Sequence, residues 1–280
     1  MLVLALSWAV AHSQTPPLLD QVGHRVEAGT ARRIVPLAPD VAEMAFALGL
    51  GPAVVAVGPA VDYPEGAASL PHLAALDVES VLVWRPDLVL ATTAGSDPRL
   101  VERLRALGHR TLTVDVTSCA RLVEACALVA AATAAGDAGV ELASRLRERC
   151  ADASRRGATL PRRGALYVVW WDPLIVAAPG TFHDDLLRHA NLTNLAPANA
   201  GRYPRVSPEL LLSSAVEVIV SPDEPDARVL FTRVVATAAG ARLSRGAARV
   251  IWLPADPASR PGPRLPEAYV ALVAERERAP

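Results

Sequence analysis

Residues 77–91 read DVESVLVWRPDLVLA, and residues 207–221 read SPELLLSSAVEVIVS. Each stretch begins with a helix-capping residue type and carries a glutamate, Glu79 or Glu209, at the second helical position. Eight residues after each glutamate, an acidic residue, Asp87 or Glu217, opens an apolar run typical of a buried strand. The two stretches match in register and predict two related lobes. Acidic residues in a first helical turn also favour the helix dipole, so a purely structural role for the glutamates stays open at this point.

The sequence around the first stretch alternates between strand-like and helical patterns. Apolar runs predict strands at 33–37, 54–57, 87–91 and 111–115, and helices are predicted at 40–48, 78–84 and 98–107. Asp40 and Glu43 have the spacing of a capping box at the start of the first helix, and Gly49 supplies its stop. Strands that alternate with helices favour a parallel sheet covered on both faces.

A different pattern separates the two halves of the chain. Residues 118–156 carry no proline and no strand-like run, and they predict two consecutive helices, the second at about 137–156. A helix of 20 residues is about 30 Å long, enough to cross a small domain. Alternation then resumes, with elements at 165–170, 183–190, 208–213, 216–220, 226–239, 249–253 and 265–277.

These patterns together predict an α/β fold of two Rossmann-like lobes with parallel sheets, joined by a single long backbone helix. The N-terminal lobe is expected at 15–131, the connecting helix at 132–160 and the C-terminal lobe at 161–280. Residues 1–14, MLVLALSWAVAHSQ, fit the apolar part of a secretory signal with a cleavage site at residues 9–11, although the usual positive n-region is missing. We therefore expect an exported, extracytoplasmic protein.

Composition and motifs argue against several classes of function. The formal net charge is −1, which gives no electrostatic reason to expect nucleic acid as a partner. The sequence has no G-x-S-x-G elbow, no P-loop and no G-x-G-x-x-G after a strand, so an enzyme is not favoured and no catalytic residue is assigned. Cys119, Cys126 and Cys150 fall in predicted helices and are interpreted as small buried hydrophobes.

A metal site near residues 183–189 is the main alternative from side-chain chemistry. His183, Asp184, Asp185 and His189 are ligand types that suit zinc or manganese. The two histidines are six residues apart on a predicted helix, which is poor for one site because residues three or four apart share a face. We interpret both histidines as surface or capping residues and assign no directly bound metal and no cofactor.

Six pieces of the sequence, taken in order, resemble one family. They are RRIVPLAPDVAEMAFALGLG (32–51), VDYPEG (61–66), DVESVLVWRPDLVLA (77–91), VVWWDPLIVAAPGTFHDDLL (168–187), RYPRVSPELLL (202–212) and RPGPRL (260–265). On these pieces, residues 18–278 resemble the substrate-binding proteins of iron–siderophore and vitamin B12 ABC importers, in which a long helix joins two lobes. The resemblance implies a monomer that captures a small-molecule chelate and delivers it to a permease dimer with its ATPase.

The resemblance also implies a docking role for the two repeated glutamates. In that family an exposed glutamate on each lobe docks onto arginines of the permease, and Glu79 and Glu209 stand at the matching positions. Two carboxylates far apart on a rigid body can engage two symmetric guanidinium clusters, which gives orientation as well as attraction.

The ligand is expected in the cleft between the lobes, where loops at strand ends meet. The candidate ligand-binding residues are Asp62, Tyr63, Trp170, Trp171, Tyr203, Asp256 and Arg260. Neighbouring side chains of a strand face opposite ways, so one tryptophan is expected to face the cleft, and core packing stays open for either. A surface ion pair between Asp256 and Arg260 also stays open.

The 62–64 element, Asp-Tyr-Pro, and the Trp-Trp-Asp-Pro stretch resemble the cobalamin-binding members of the family. A corrinoid offers a flat apolar face with amides around its rim, which suits aromatic stacking and a few polar contacts. We therefore predict cobalamin or a related corrinoid as the ligand. Arg202, Arg205, Arg260 and Arg264 keep an anionic ferric siderophore as the alternative, with haem next. A direct zinc- or manganese-binding protein and an α/β enzyme are the alternatives from other classes.

Overall fold

The first lobe is built on a parallel sheet in which the strands Ile34–Pro36, Leu88–Thr92 and Thr111–Val114 lie side by side in that order. The computed structural model describes residues 18–237, 243, 246 and 248–278, so the predicted signal segment lies outside the described residues. The strands are β1 (Leu18–Leu19), β2 (Arg25–Val26), β3 (Ile34–Pro36), β4 (Leu88–Thr92) and β5 (Thr111–Val114), and the helices are α1 (Pro39–Ala47), α2 (Glu65–Ala68), α3 (Val78–Leu82) and α4 (Pro98–Ala106). Every residue of β3, β4 and β5 is buried, as a parallel sheet covered on both faces requires.

The second lobe has a mixed sheet. The strands are β6 (Arg163–Trp171), β7 (Leu174–Val176), β8 (Leu192–Asn194), β9 (Val218–Pro222) and β10 (Arg249–Leu253), and the helices are α7 (Phe182–His189), α8 (Ala227–Val235), α9 (Ala255–Ser259) and α10 (Leu265–Arg278). β6 pairs in parallel with β8 and β9, β9 pairs in parallel with β10, and β7 runs antiparallel to the outer half of β6.

Two long helices, α5 (Cys119–Thr133) and α6 (Gly136–Gly157), connect the lobes. With 22 residues, α6 is about 33 Å long. The largest cluster of buried apolar side chains runs through both lobes by way of these helices, from Leu90 in β4 through Val129 and Leu146 to Leu187 in α7 and Leu272 in α10. The predicted α/β fold with a long joining helix is confirmed. Among the described residues, no helix is long and apolar enough to cross a bilayer.

Three local predictions differ from the structure. The strand predicted at 54–57 is reduced to single bridges, because its pairing is divided between two partners: Val54 pairs with Ile34 of β3, and Val57 pairs with His72. The element predicted at 208–213 is a 3-10 helix, Pro208–Leu212. The predicted capping box is wrong, since α1 begins after Ala38, which makes no side-chain cap hydrogen bond, and both acidic side chains of that helix are buried.

The acidic residues that open the repeated strands have a structural role in both lobes. The carboxylate of Asp87 accepts hydrogen bonds from the backbone N–H groups of Arg32 at 2.8 Å and Arg33 at 3.1 Å, just before β3. The carboxylate of Glu217 accepts one from the N–H of Gly164 at 3.3 Å, at the start of β6. In each lobe the acid therefore fastens the first residues of the neighbouring strand, which explains why a charge stands at the start of an apolar run.

A disulfide joins Cys119, at the start of α5, to Cys150 in the second half of α6. All three cysteines are buried, as interpreted from the sequence, which assigned no pairing to them. Cys126 is free, and burial raises the pKa of its thiol to about 12. The pairing depends on how α5 folds back on α6, which the sequence pattern of either helix does not contain.

Replacing both paired cysteines, Cys119→Ala with Cys150→Ala, should lower the free energy of unfolding by about 2–4 kcal/mol, because the link restricts the unfolded chain. Urea denaturation followed by circular dichroism measures the change. A reductant should shift the unfolding midpoint of the wild type and leave that of the double variant where it is. A wild-type midpoint that is insensitive to full reduction would contradict this role.

Candidate ligand cleft

The two lobes meet along a polar seam formed by loops at the ends of their strands, and two cross-lobe ion pairs mark it. Arg260, which follows α9, donates to both carboxylate oxygens of Asp62 in the first lobe, one of them at 2.9 Å. Arg260 also lies 3.4 Å from Asp256, one turn earlier on α9. The hydrogen bond from Arg260 lowers the pKa of Asp62. Three of the predicted ligand-binding residues are thus brought together at one end of the seam.

The second cross-lobe pair joins Arg202 to Asp115, which follows β5. Arg202 donates to the two carboxylate oxygens at 3.0 and 3.3 Å, and the Thr93 hydroxyl donates to the same carboxylate. Burial alone would raise the pKa of Asp115, but these hydrogen bonds outweigh burial and lower it. Sequence reasoning missed Asp115, although it stands at a strand end, where the cleft was expected.

The aromatic residues divide between the surface and the core. Tyr203, next to Arg202, is 43% exposed, and Trp170 is 39% exposed with its indole N–H donating to the Asp172 carbonyl at 2.8 Å. Trp171 is only 1% exposed. It packs edge-on against Phe231 and donates to the Ser221 hydroxyl at 3.0 Å. Trp171 is therefore a core residue, and its inclusion among the ligand-binding residues is corrected. Trp170 is the exposed member of the pair.

An ion pair with a buried carboxylate lies at the α6 end of the same seam. Arg264 of the second lobe donates to both oxygens of Glu43 in α1, at 3.0 and 2.6 Å, and to Asp256 at 3.3 Å. The ring of Tyr63 stacks on the Arg264 guanidinium at 3.8 Å, a contact that fixes the predicted ligand-binding tyrosine against the second lobe. The spacing of Asp40 and Glu43 suggested a helix cap because surface caps and buried ion pairs use the same residue types.

Asp40 lies beside this pair and is buried without a full set of partners. Its Oδ2 atom has no hydrogen-bond partner among the described residues. Burial raises the pKa of Asp40 to about 6, and a hydrogen bond with Thr92 opposes that shift.

His183 is buried as well, which corrects its interpretation as a surface or capping residue. Burial lowers its pKa to about 3, so the ring is neutral, and it packs against Tyr167 and, edge-on, against Tyr203. His189 is half-buried. Within the described residues, no group of three His, Cys, Asp or Glu side chains could hold a metal ion.

The two predicted docking glutamates lie on exposed helical turns outside the seam. Glu79 is in α3, whose start is capped by Asp77 accepting the Ser80 N–H at 2.8 Å, and Glu209 is in the 3-10 helix. Neither carboxylate forms an ion pair with a residue that the structure describes. One turn beyond each glutamate stands an exposed apolar residue, Val83 at 73% and Leu212 at 47% exposed. The two lobes thus present the same carboxylate and apolar surface.

Two α/β lobes that face each other across a polar seam, joined by a long helix, define a two-lobed ligand-binding protein. The chain belongs to the periplasmic binding protein family, whose sequence profile matches residues 34–229. The family resemblance noted in the sequence is thereby confirmed.

Individual relatives match most of the chain. It is 29% identical over 238 residues to the vitamin B12-binding protein of Vibrio cholerae serotype O1, covering 84% of this chain and 85% of that protein. The crystal structure of the periplasmic vitamin B12-binding protein of Vibrio cholerae superimposes with a TM-score of 0.76 at 26% identity, over 89% of this chain and 99% of that one. The apo form of a periplasmic haem-binding protein from Roseiflexus sp. RS-1 superimposes with a TM-score of 0.74 at 26% identity, with the same coverages of 89% and 99%.

The substitution Asp40→Asn should make the protein more stable at neutral pH and change little near pH 4. The folded chain holds a proton on Asp40 up to a pKa of about 6, against 3.8 for an ordinary Asp, so the wild type loses stability as pH rises between these values. The difference in the free energy of unfolding should grow to about 2–3 kcal/mol above pH 7. Urea titrations at several pH values measure this difference. The pH-dependent contribution of His183 is the same in both proteins and cancels in the difference. A difference that does not vary with pH would refute the assignment.

Proposed function

We propose that this chain is the substrate-binding subunit of an ABC importer, and that it captures cobalamin or a related corrinoid in the seam between its lobes. The observation that carries this ligand choice is the similarity to a vitamin B12-binding protein over 84% of the chain, lobes and joining helix included. The chemistry of the seam supports the same choice, and the surface carrying the two glutamates supports docking to a permease.

The charges along the seam favour a neutral ligand over an anionic one. Arg202 is paired with Asp115, and Arg260 is paired with both Asp62 and Asp256. Arg264, the third guanidinium along the seam, is held by Glu43 and Asp256. No guanidinium of these three is left in excess, whereas an anionic siderophore or the propionates of haem need unpaired positive charge. The peripheral amides of a corrinoid can instead exchange hydrogen bonds with both the carboxylates and the guanidiniums.

The exposed parts of the seam can rearrange at little cost. Ion pairs between exposed side chains contribute at most about 1 kcal/mol, so the Arg260–Asp62 pair can open to admit a ligand. Tyr203 then offers a flat aromatic face next to the polar groups, which suits the apolar face of a corrin ring.

Haem is the second candidate, because the structure superimposes on a periplasmic haem-binding protein over 89% of this chain. The balanced charge of the seam makes haem, with its anionic propionates, a less favoured ligand than a corrinoid.

Titration calorimetry with cyanocobalamin should show one-to-one binding at micromolar affinity or tighter, with a change in tryptophan fluorescence. The variant Arg260→Gln should bind at least tenfold more weakly, because it loses hydrogen bonds to the ligand rim and leaves Asp62 unpaired. Arg156→Gln is the matched control, since it breaks a bidentate ion pair between Arg156 and Glu277, far from the seam. Haemin and a ferric hydroxamate are titrated under the same conditions to compare their affinities with that of cyanocobalamin. Tighter binding of either than of cyanocobalamin would overturn the corrinoid choice.

Reversing both docking charges, Glu79→Arg with Glu209→Arg, should reduce ligand uptake by cells carrying the cognate permease by tenfold or more. The new charges would repel the arginines expected on the permease, while the seam is untouched. Ligand affinity measured by calorimetry should stay at the wild-type value. The control variant, Glu148→Arg, reverses an exposed charge on α6 and should leave uptake unchanged. Normal uptake by the double variant, or a loss of ligand binding, would contradict the separate docking role.

A further inference from the structure

A pocket lies on the side of the Glu43–Arg264 pair that faces α6. Its volume is about 450 Å³, within the range of small-molecule sites. It is lined by both lobes and by the joining helix, through Phe46, Tyr63, Arg264 and the α6 face that carries Leu142 and Leu146. It adjoins the α6 end of the seam through Glu43, Tyr63 and Arg264, whereas Asp256 and Arg260, at the other end, do not line it.

The apolar floor of this pocket consists of Leu142, Leu146 and Phe46, and packing against neighbouring residues fixes the Phe46 ring. Leu142 and Leu146, one turn apart on α6, are buried, and they line the pocket together with Phe46. Gly51 and Gly66 lie directly against that ring, where a Cβ atom would come within 2.9 and 3.1 Å of it. The absence of these two side chains leaves room for the Phe46 ring, so the apolar floor is fixed by packing.

The rim of the pocket carries two loosely held guanidinium groups. Arg145 and Arg149 are four residues apart on α6 and therefore share a face. Their ion pairs are long, 3.4 Å from Arg145 to Glu141 and 3.7 Å from Arg149 to Glu267, and they are exposed. Such pairs contribute little and exchange readily with another anion. Arg264, in contrast, already has its bonds satisfied by two carboxylates and forms a fixed wall.

We propose that this pocket binds a small amphipathic monocarboxylate. The carboxylate lies between Arg145 and Arg149, and the apolar body rests on Phe46, Leu142 and Leu146. A body of about eight to ten carbon atoms, a short fatty acid or a single aromatic ring on a short chain, fits the volume. Inorganic anions would leave the apolar floor in contact with water, and a neutral apolar molecule would desolvate the two guanidiniums without pairing them.

The probe for this site is 4-phenylbutyrate, with 4-phenylbutyramide as its neutral counterpart. By calorimetry and ligand-observed NMR, the carboxylate should bind with one site per chain, and the amide should bind at least tenfold more weakly. The double variant Arg145→Gln with Arg149→Gln should lose at least tenfold in affinity. Arg155→Gln, on an exposed turn of the same helix, is the matched control and should bind as the wild type does.

Two further variants locate the bound molecule. Ala47→Trp places a large side chain at the exposed edge of the pocket and should block binding of 4-phenylbutyrate without disturbing the core. Arg260→Gln, in the seam, should leave it unchanged. Absent binding to the wild type, equal binding of acid and amide, or a loss caused by Arg260→Gln would each overturn the proposal. These outcomes are independent of cyanocobalamin binding, so the two proposals fail separately.

Discussion

The packing of α5, α6 and α10 between the two lobes is the constraint on which the rest of the structure depends. One cluster of buried apolar side chains continues from β4 through Leu146 of α6 to Leu272 of α10, and the Cys119–Cys150 disulfide ties α5 to α6 inside it. Close-packed interiors do not deform continuously, so this core cannot act as a wide hinge. We therefore expect ligand admission to involve small changes at the polar seam, away from the helices.

The cross-lobe ion pairs fall into two kinds, and their burial decides what each can do. Arg264 and Glu43 meet near α6, where the carboxylate is buried, so that removing Arg264 would leave a buried charge without its partner. Arg260 and Asp62 meet where the carboxylate is exposed, and their pairing contributes little. The buried pair keeps the lobes in register while the exposed pair can exchange its partners for a ligand. The same buried pair also separates the seam from the α6 pocket.

The sequence predicted the elements whose signals are local. The joining helix, predicted at 137–156, is found at Gly136–Gly157, because apolar periodicity is a property of the segment itself. The segment predicted as a strand at 54–57 divides its pairing between Ile34 and His72, a tertiary arrangement that the local apolar pattern does not contain. Strand alternation indicated that Trp170 and Trp171 face opposite ways, but only packing against Phe231 decides that Trp171 is the buried one. The ion pair of Glu43 with Arg264 could not be predicted from local sequence patterns, because its partners are 221 residues apart.

Within fifteen residues of sequence, the repeated unit carries one acid with a folding role and one glutamate for which we propose a docking role. Asp87 and Glu217, which open the strands, are used inside their own lobes to hold the first residues of β3 and β6. Glu79 and Glu209 make no ion pair with any residue that the structure describes, although each stands on a capped, ordered turn. A carboxylate that the fold orders but does not use is available to an external cation. Its recurrence on both lobes, beside an exposed apolar side chain, matches a partner that presents two equivalent surfaces, as a dimeric permease does.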